Sequence, residues 1–195
     1  IAININSQND APVTIIDIPN QQINEDYDGN IINLNSFFGD IDGDQLEYSA
    51  SSTDISMIIL EVNEEFLSIV PHPNVSGGPI TVSVVASDMH LDITQNFDIE
   101  ILSINDAPTA TNLDYTVLED ETLLMFPEGS DIENDPLTFM IFNPPQNGAA
   151  ESDGNVFTYI PDPDYDGEDQ FTFRANDGSL SSDIATVTIT IESVN

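Results

Sequence analysis

Runs in which apolar and polar residues alternate recur along the whole chain. Val187, Ile189 and Ile191 alternate with Thr188 and Thr190, and Phe171, Phe173 and Ala175 alternate with Thr172 and Arg174. Successive side chains of an extended strand point to opposite faces, so a period of two predicts half-buried antiparallel strands. Short apolar runs lie near residues 13, 31, 46, 57, 66, 80 and 97, and again near 113, 122, 137, 149, 156, 170 and 184. Turn residues separate them, no segment sustains a period of 3.6, and helix content is predicted to be near zero. Seven strands in each half predict an all-β fold of two tandem immunoglobulin-like, seven-stranded β-sandwiches.

Self-comparison orders these runs. Asn9-Asp10-Ala11-Pro12 recurs as Asn105-Asp106-Ala107-Pro108. Glu25-Asp26 then matches Glu119-Asp120, Asp40-x-Asp42-x-Asp44 matches Asp131-x-Glu133-x-Asp135, and Asp88 matches Asp177. The second copy is shorter by a few loop residues. Ile1-x-Ile3-x-Ile5-x-Ser7 also resembles the last run of each copy, Phe97-x-Ile99-x-Ile101-x-Ser103 and Val187-x-Ile189-x-Ile191-x-Ser193. The expected organisation is therefore 1–8 as the last strand of a preceding repeat, 9–104 as repeat 1 and 105–195 as repeat 2, within a longer parent.

Charge narrows the partners. Thirty-six Asp and Glu face one basic residue, Arg174, for a formal net charge of -35. Nucleic-acid binding needs cations to neutralise phosphates, so a duplex and an anionic membrane surface are both disfavoured, and contact with a membrane is expected to be peripheral at most. The periodic apolar content argues for folding over disorder. No cysteine is present, so no disulfide framework can form, and no apolar run is long enough to cross a membrane as a helix.

The recurring acids suggest a metal. Calcium takes six to eight oxygen ligands, which a protein supplies by converging carboxylates, amides and carbonyls from short loops. Four acidic loci recur: the Asn-Asp linker, the Glu-Asp pair after the first strand, the triple-acid loop after the second, and the Asp after the sixth. Any one of them has an ordinary reading as a turn residue. Turn chemistry does not by itself explain acids at alternate positions in both copies, and three carboxylates within five residues repel without a cation. The loops are not EF-hands, because the sixth and twelfth positions are Gln45 and Ser51 in one copy and Pro136 and Phe142 in the other. Asp162-x-Asp164-x-Asp166-Gly167 matches the first half of such a loop and stands open between a solvated turn and an additional calcium site.

The Asn-Asp-Ala-Pro linker, the Glu-Asp pair, the Asp-x-Asp-Gly-Asp loop and the closing Asp-Gly followed by a final strand ending in Asn-Asp together resemble cadherin-like repeats of bacterial surface and secreted proteins. The first copy, with Asp40-Ile41-Asp42-Gly43-Asp44-Gln45-Leu46-Glu47-Tyr48, is most similar to the dystroglycan-type branch. The second, with Tyr159-Ile160-Pro161 and Tyr165-Asp166-Gly167-Glu168-Asp169-Gln170-Phe171, is similar to the bacterial tandem-repeat branch. The resemblance implies calcium (Ca2+) at repeat junctions. It assigns Glu25, Asn105, Asp106, Asp131, Glu133, Asp135 and Asp177 to the central junction and Asn9, Asp10, Asp40, Asp42, Asp44 and Asp88 to the N-terminal pole. Glu119 repeats the position of Glu25. The animal Asp-Arg-Glu motif is missing, with Pro71-His72-Pro73-Asn74 in roughly that region.

Catalysis is not expected. The two histidines, His72 and His90, fall in predicted loops, and neither Lys nor Cys is present to serve as a nucleophile. Two functions remain: a calcium-rigidified spacer or adhesive segment of an extracellular surface or secreted protein, and an accessory substrate- or carbohydrate-binding module of a secreted hydrolase. Absence of Trp weakens the second, although Tyr27, Tyr115 and Tyr165 leave it open. The partners expected are neighbouring repeats of the same chain, with another cell-surface protein or a polysaccharide as adhesive ligand.

Overall fold

A computed structural model describes residues 8–194, so the strand expected at the N-terminus lies almost wholly outside the described residues. The chain divides into two compact units between Ile104 and Asn105.

The first unit contains β1 (Val13–Thr14), β2 (Gln21–Asn24), β3 (Asn30–Asn33), β4 (Phe38–Gly39), β5 (Glu47–Ser52), β6 (Ile58–Asn63), β7 (Phe66–Pro71), β8 (Gly77–Ser87) and β9 (Asp92–Leu102). A four-stranded sheet in the order β2-β9-β8-β5 faces a three-stranded sheet β3-β7-β6, and β1 and β4 form a small extra pair. The alternation read from the sequence sets the inner face: Ile80, Val82, Val84 and Ala86 of β8 are buried against Leu67 and Ile69 of β7. One 3-10 turn, Leu34–Ser36, is the only helical element among the described residues.

Two features depart from a plain antiparallel reading. The first strand of the sandwich is broken into β1 and β2, and β2 runs parallel to β9, pairing Gln21 with Ile99 and Ile23 with Ile101. Its sequence, Gln21-Gln22-Ile23-Asn24, buries one side chain, so its place is set by pairing to an edge and not by hydrophobic periodicity. Gln95 holds the break: its Oε1 accepts from the Ile18 amide at 2.8 Å and its Nε2 donates to the Ile16 carbonyl at 3.2 Å.

The second unit repeats the plan with β10 (Thr109–Ala110), β11 (Leu113–Leu118), β12 (Leu123–Met125), β13 (Gly129–Ser130), β14 (Thr138–Asn143), β15 (Gly148–Ser152), β16 (Phe157–Pro161), β17 (Gly167–Asn176) and β18 (Ala185–Glu192). Its sheets are β11-β18-β17-β14 and β12-β16-β15, with β11 parallel to β18. The core is more aromatic, with Phe157 packed edge-on against Phe171 and Phe173 at centroid distances of 5.4 and 5.1 Å.

Where unit 1 buries Ile69 and Ile80, unit 2 buries Tyr159 and Asp169. The Tyr159 hydroxyl donates to Asp169 Oδ2 at 2.9 Å, and the amides of Gln146, Asn147 and Gln170 complete the carboxylate's partners. Burial and the adjacent Asp169 carboxylate push the Tyr159 phenol well above its usual range. Hydrogen bonds to a charged acceptor contribute about 1.5–3 kcal/mol. Tyr159→Phe is expected to destabilise the second unit by about that amount in urea unfolding, with the first unit's transition unmoved.

Candidate metal centres

Each unit gathers its acids at the end where the chain comes in. In the first, the Asn9 side-chain amide donates to Asp88 Oδ2 at 2.9 Å, and the Asp10 amide donates to Asp42 Oδ2 at 2.8 Å. Asp40 Oδ1 accepts the amides of Asp42 and Asp44 at 2.8 and 3.2 Å. In the second, Asn105 Nδ2 donates to Asp177 Oδ2 at 2.9 Å, the Asp106 amide to Glu133 Oε2 at 3.3 Å, and the Asp135 amide to Asp131 Oδ1 at 3.0 Å. The same network is therefore built twice, position for position, by residues in the incoming segment, the triple-acid loop and the turn after β8 or β17.

Local backbone chemistry explains the loops. The fourth position of the triple-acid loop has positive φ in both copies, +81° at Gly43 and +63° at Asn134. Glycine and asparagine tolerate that conformation, which lets the following amide point back at the first Asp. Asp88 and Asp177 close the turn before the last strand in the same way. Asp88 Oδ1 accepts from His90 and Leu91 amides at 2.7 Å each, and Asp177 Oδ1 from Ser179 and Leu180 amides at 2.6 Å each. These bonds favour the ionised form: the Leu91 amide and Asn9 side chain hold the Asp88 carboxyl below its ordinary range. The Leu180 amide and Asn105 side chain do the same for Asp177.

Two oxygens stand out in these networks. Asp40 Oδ2 and Asp131 Oδ2, at equivalent places in the two copies, are buried and have no hydrogen-bond partner. Stripping a carboxylate oxygen of water without replacing its donors costs on the order of 1–3 kcal/mol or more. A hard cation supplies what the backbone does not, so the donor set fits calcium. The first loop is the tighter of the two: oxygens of Asp40, Asp42 and Asp44 lie within 4.8 Å of one another, the one such acidic group among the described residues. Asp131, Glu133 and Asp135 spread wider, and so do Asp162, Asp164 and Asp166.

Glu25 and Glu119 lie at the other end of their own units, Glu25 against the outgoing segment that leads to Asn105. β9 separates Asp88, just before its start, from Glu25, whose amide bonds to the Leu102 carbonyl at its end. Eleven residues of strand span about 35 Å. Glu25, 3% exposed, accepts the Ile104 amide at 2.8 Å, and Glu119 accepts the Val194 amide at 2.7 Å. Each glutamate thus fastens the outgoing segment of its own unit. Buried Asp169 was not singled out by sequence reasoning; the signal that separates it from surface acids is its position in the inward-facing phase of β17, between Gly167 and Phe171.

Because the Asp88 and Asp177 carboxyls lie low, their stabilisation is complete above the ordinary Asp pKa of about 3.9 and is lost as pH falls through the lowered values. In chelator, carboxyl-carbon NMR is expected to show both titrating below the ordinary Asp pKa of about 3.9, and Asn9→Ala is expected to raise the Asp88 midpoint.

Residues 105–190 match the family model described as Bacterial Ig domain. Among curated proteins none matches. Among solved structures, the human protocadherin-24 EC1-2 crystal structure is 12% identical with a TM-score of 0.63, covering 96% of this chain and 100% of that one. Mouse protocadherin-24 EC1-3 is 16% identical with a TM-score of 0.53, covering 94% and 70%. An endo-fucoidan hydrolase of glycoside hydrolase family 107 is 19% identical with a TM-score of 0.43. It is covered over 94% of this chain, which spans only 29% of that enzyme's length. The family match and the protocadherin likeness agree with the sheet order in one conclusion, that the chain carries immunoglobulin-like sandwiches of cadherin-like architecture.

Proposed function

We propose that the chain is a calcium-binding segment of an extracellular repeat protein, serving as a spacer or adhesive stalk and not as an enzyme. The observation that carries this reading is the repeated orphan oxygen, Asp40 Oδ2 and Asp131 Oδ2, at the centre of the same acidic network in both units. Asn9, Asp10, Asp40, Asp42, Asp44 and Asp88 would hold calcium in the first unit. Asn105, Asp106, Asp131, Glu133, Asp135 and Asp177 would hold it in the second. The cation supplies charge neutralisation and a shared set of oxygen bonds.

The mechanical consequence follows from which segments the network joins. Asn9-Asp10 and Asn105-Asp106 are the incoming chain, while the triple-acid loop and the Asp88 or Asp177 turn belong to the folded body. A cation shared among them fastens the incoming chain to the body, as Glu25 and Glu119 fasten the outgoing chain. A module with both ends fixed transmits direction along an array. The finer assignment, a dystroglycan-type repeat followed by a bacterial tandem-repeat type, belongs to this proposal, as does location at the cell surface or in secretion. No helix among the described residues is long and apolar enough to cross a membrane.

Extracellular calcium modules bind with dissociation constants of about 10⁻⁴–10⁻³ M, and a ligand at a hundred times its constant stabilises by about 2.7 kcal/mol. Excess calcium over chelator is expected to raise the melting temperature of both units, with magnesium doing far less. Asp40→Asn and Asp131→Asn keep the amide-accepting oxygen but remove charge. Each is expected to leave the chelated protein as stable as wild type or more so, while abolishing most of the calcium gain in its own unit. Equal melting of wild type with calcium and with chelator would defeat the proposal.

A further inference from the structure

The two units share their sheet order and the acidic network at the incoming end, and on the outer face of the four-stranded sheet they differ where β14 meets β17. In unit 1, β5 pairs with β8 without interruption, setting Ser49 opposite Val85 and Ser51 opposite Ser83. In unit 2 the corresponding pair sets Met140 opposite Arg174, and the register then shifts between Ile141 and Asn143. Phe142 is the extra residue of that bulge. Asn143 pins it, its side-chain amide donating to Thr172 Oγ1 at 2.9 Å and its backbone amide to the same oxygen at 3.2 Å. Bulges re-aim side chains and favour functional surfaces. Here the result is an exposed Phe142 ring, 53% accessible, with the Arg174 guanidinium carbon 4.8 Å from its centroid and Met140, 55% accessible, alongside.

Arg174 is the single basic side chain of the protein, set against 36 acids. Among the described residues it nevertheless forms no ion pair, and its Nε has no hydrogen-bond partner. Asp183, exposed on the lead-in to β18, is not joined to it. The cation is instead stacked on an aromatic ring among Thr172, Asn143 and Met140, all uncharged. In unit 1 the matching position, Val85, carries no charge at all.

We infer that this face of the second unit, centred on Phe142 and Arg174, is a docking surface for a neutral polysaccharide. Charge selects the class. A net charge of -35 keeps polyanions away, and the guanidinium at the centre of the patch opposes a polycation. A second copy of the chain brings the same -35 and the same repulsion. A neutral glycan meets neither barrier. Its C–H faces match the exposed ring and Met140, and its hydroxyls match the guanidinium donors and the Thr172 and Asn143 side chains. Tyr115 and Tyr165 are half-buried and so do not offer an alternative platform on this unit.

The test is native affinity electrophoresis through gels containing a soluble α-glucan, a β-glucan, a mannan or a galactan, with alginate as the polyanionic arm. Each gel is run both with calcium and with chelator, so that the outcome is read separately from metal binding. Wild type is expected to be retarded by at least one neutral polymer in both conditions and not by alginate. Phe142→Ala and Arg174→Gln are each expected to weaken retardation by about tenfold or more, the scale of losing a central aromatic or Arg contact. Phe142→Tyr, which keeps the ring, is expected to retain it, and circular dichroism melting checks that each variant folds. Absence of retardation by all four neutral polymers overturns the inference. So does retardation unchanged in both truncations, retardation by alginate alone, or a concentration-dependent dimer in sedimentation that either truncation abolishes.

Discussion

With one basic side chain against 36 acids, this chain has almost no ion pairs available to stabilise a carboxylate that folding removes from water. Backbone amides take that role. Asp88 and Asp177 hold the turn before the last strand, Asp169 holds the loop at Gln146-Asn147, and Glu25 and Glu119 hold the outgoing segments. A buried carboxylate costs several kcal/mol unless it is paired and bonded, so each loop is shaped around the acid it contains. Loop conformation and acid position are the same constraint seen from two sides.

Where the amides run out, the constraint turns into chemistry. A five-residue loop can aim one or two amides at its first Asp, and in both copies these reach Oδ1. Nothing in the loop reaches Oδ2 of Asp40 or Asp131, and the strands beneath already spend their amides on each other. Repetition gives this weight. A single orphan oxygen is a local defect, whereas the same orphan in two copies whose loop sequences differ is a feature of the design. The incoming Asn-Asp segment lies against these acids, so whatever satisfies them also fixes how the chain enters each unit.

The differences between copies have their own logic. Replacing buried Ile69 and Ile80 with Tyr159 and Asp169 exchanges aliphatic packing for a hydrogen-bonded pair that also organises a loop. The bulge at Phe142 changes no core position, because Ile141 and Phe139 still face inward, and it alters only what the sheet shows to solvent. A sandwich tolerates such changes one face at a time, since alternation decouples the outer residues of a strand from the inner ones.

The sequence by itself determined the all-β class and the recurrence of the acidic loci in both copies, because period-two alternation and recurring turn acids are local signals. The strands it missed or blurred were those without such signals. Polar β2 takes its place by parallel pairing to β9, and the short β1–β4 and β10–β13 pairs owe theirs to the broken first strand. Tertiary structure alone decided which oxygens lack donors, that Glu25 and Glu119 hold outgoing segments at the far end of their units, and that Asp169 is a core residue. It alone showed that Phe142 is an inserted residue beneath the single arginine. Each of these depends on neighbours distant along the chain, and hydrogen-bond satisfaction and bulge register exist only between strands already paired.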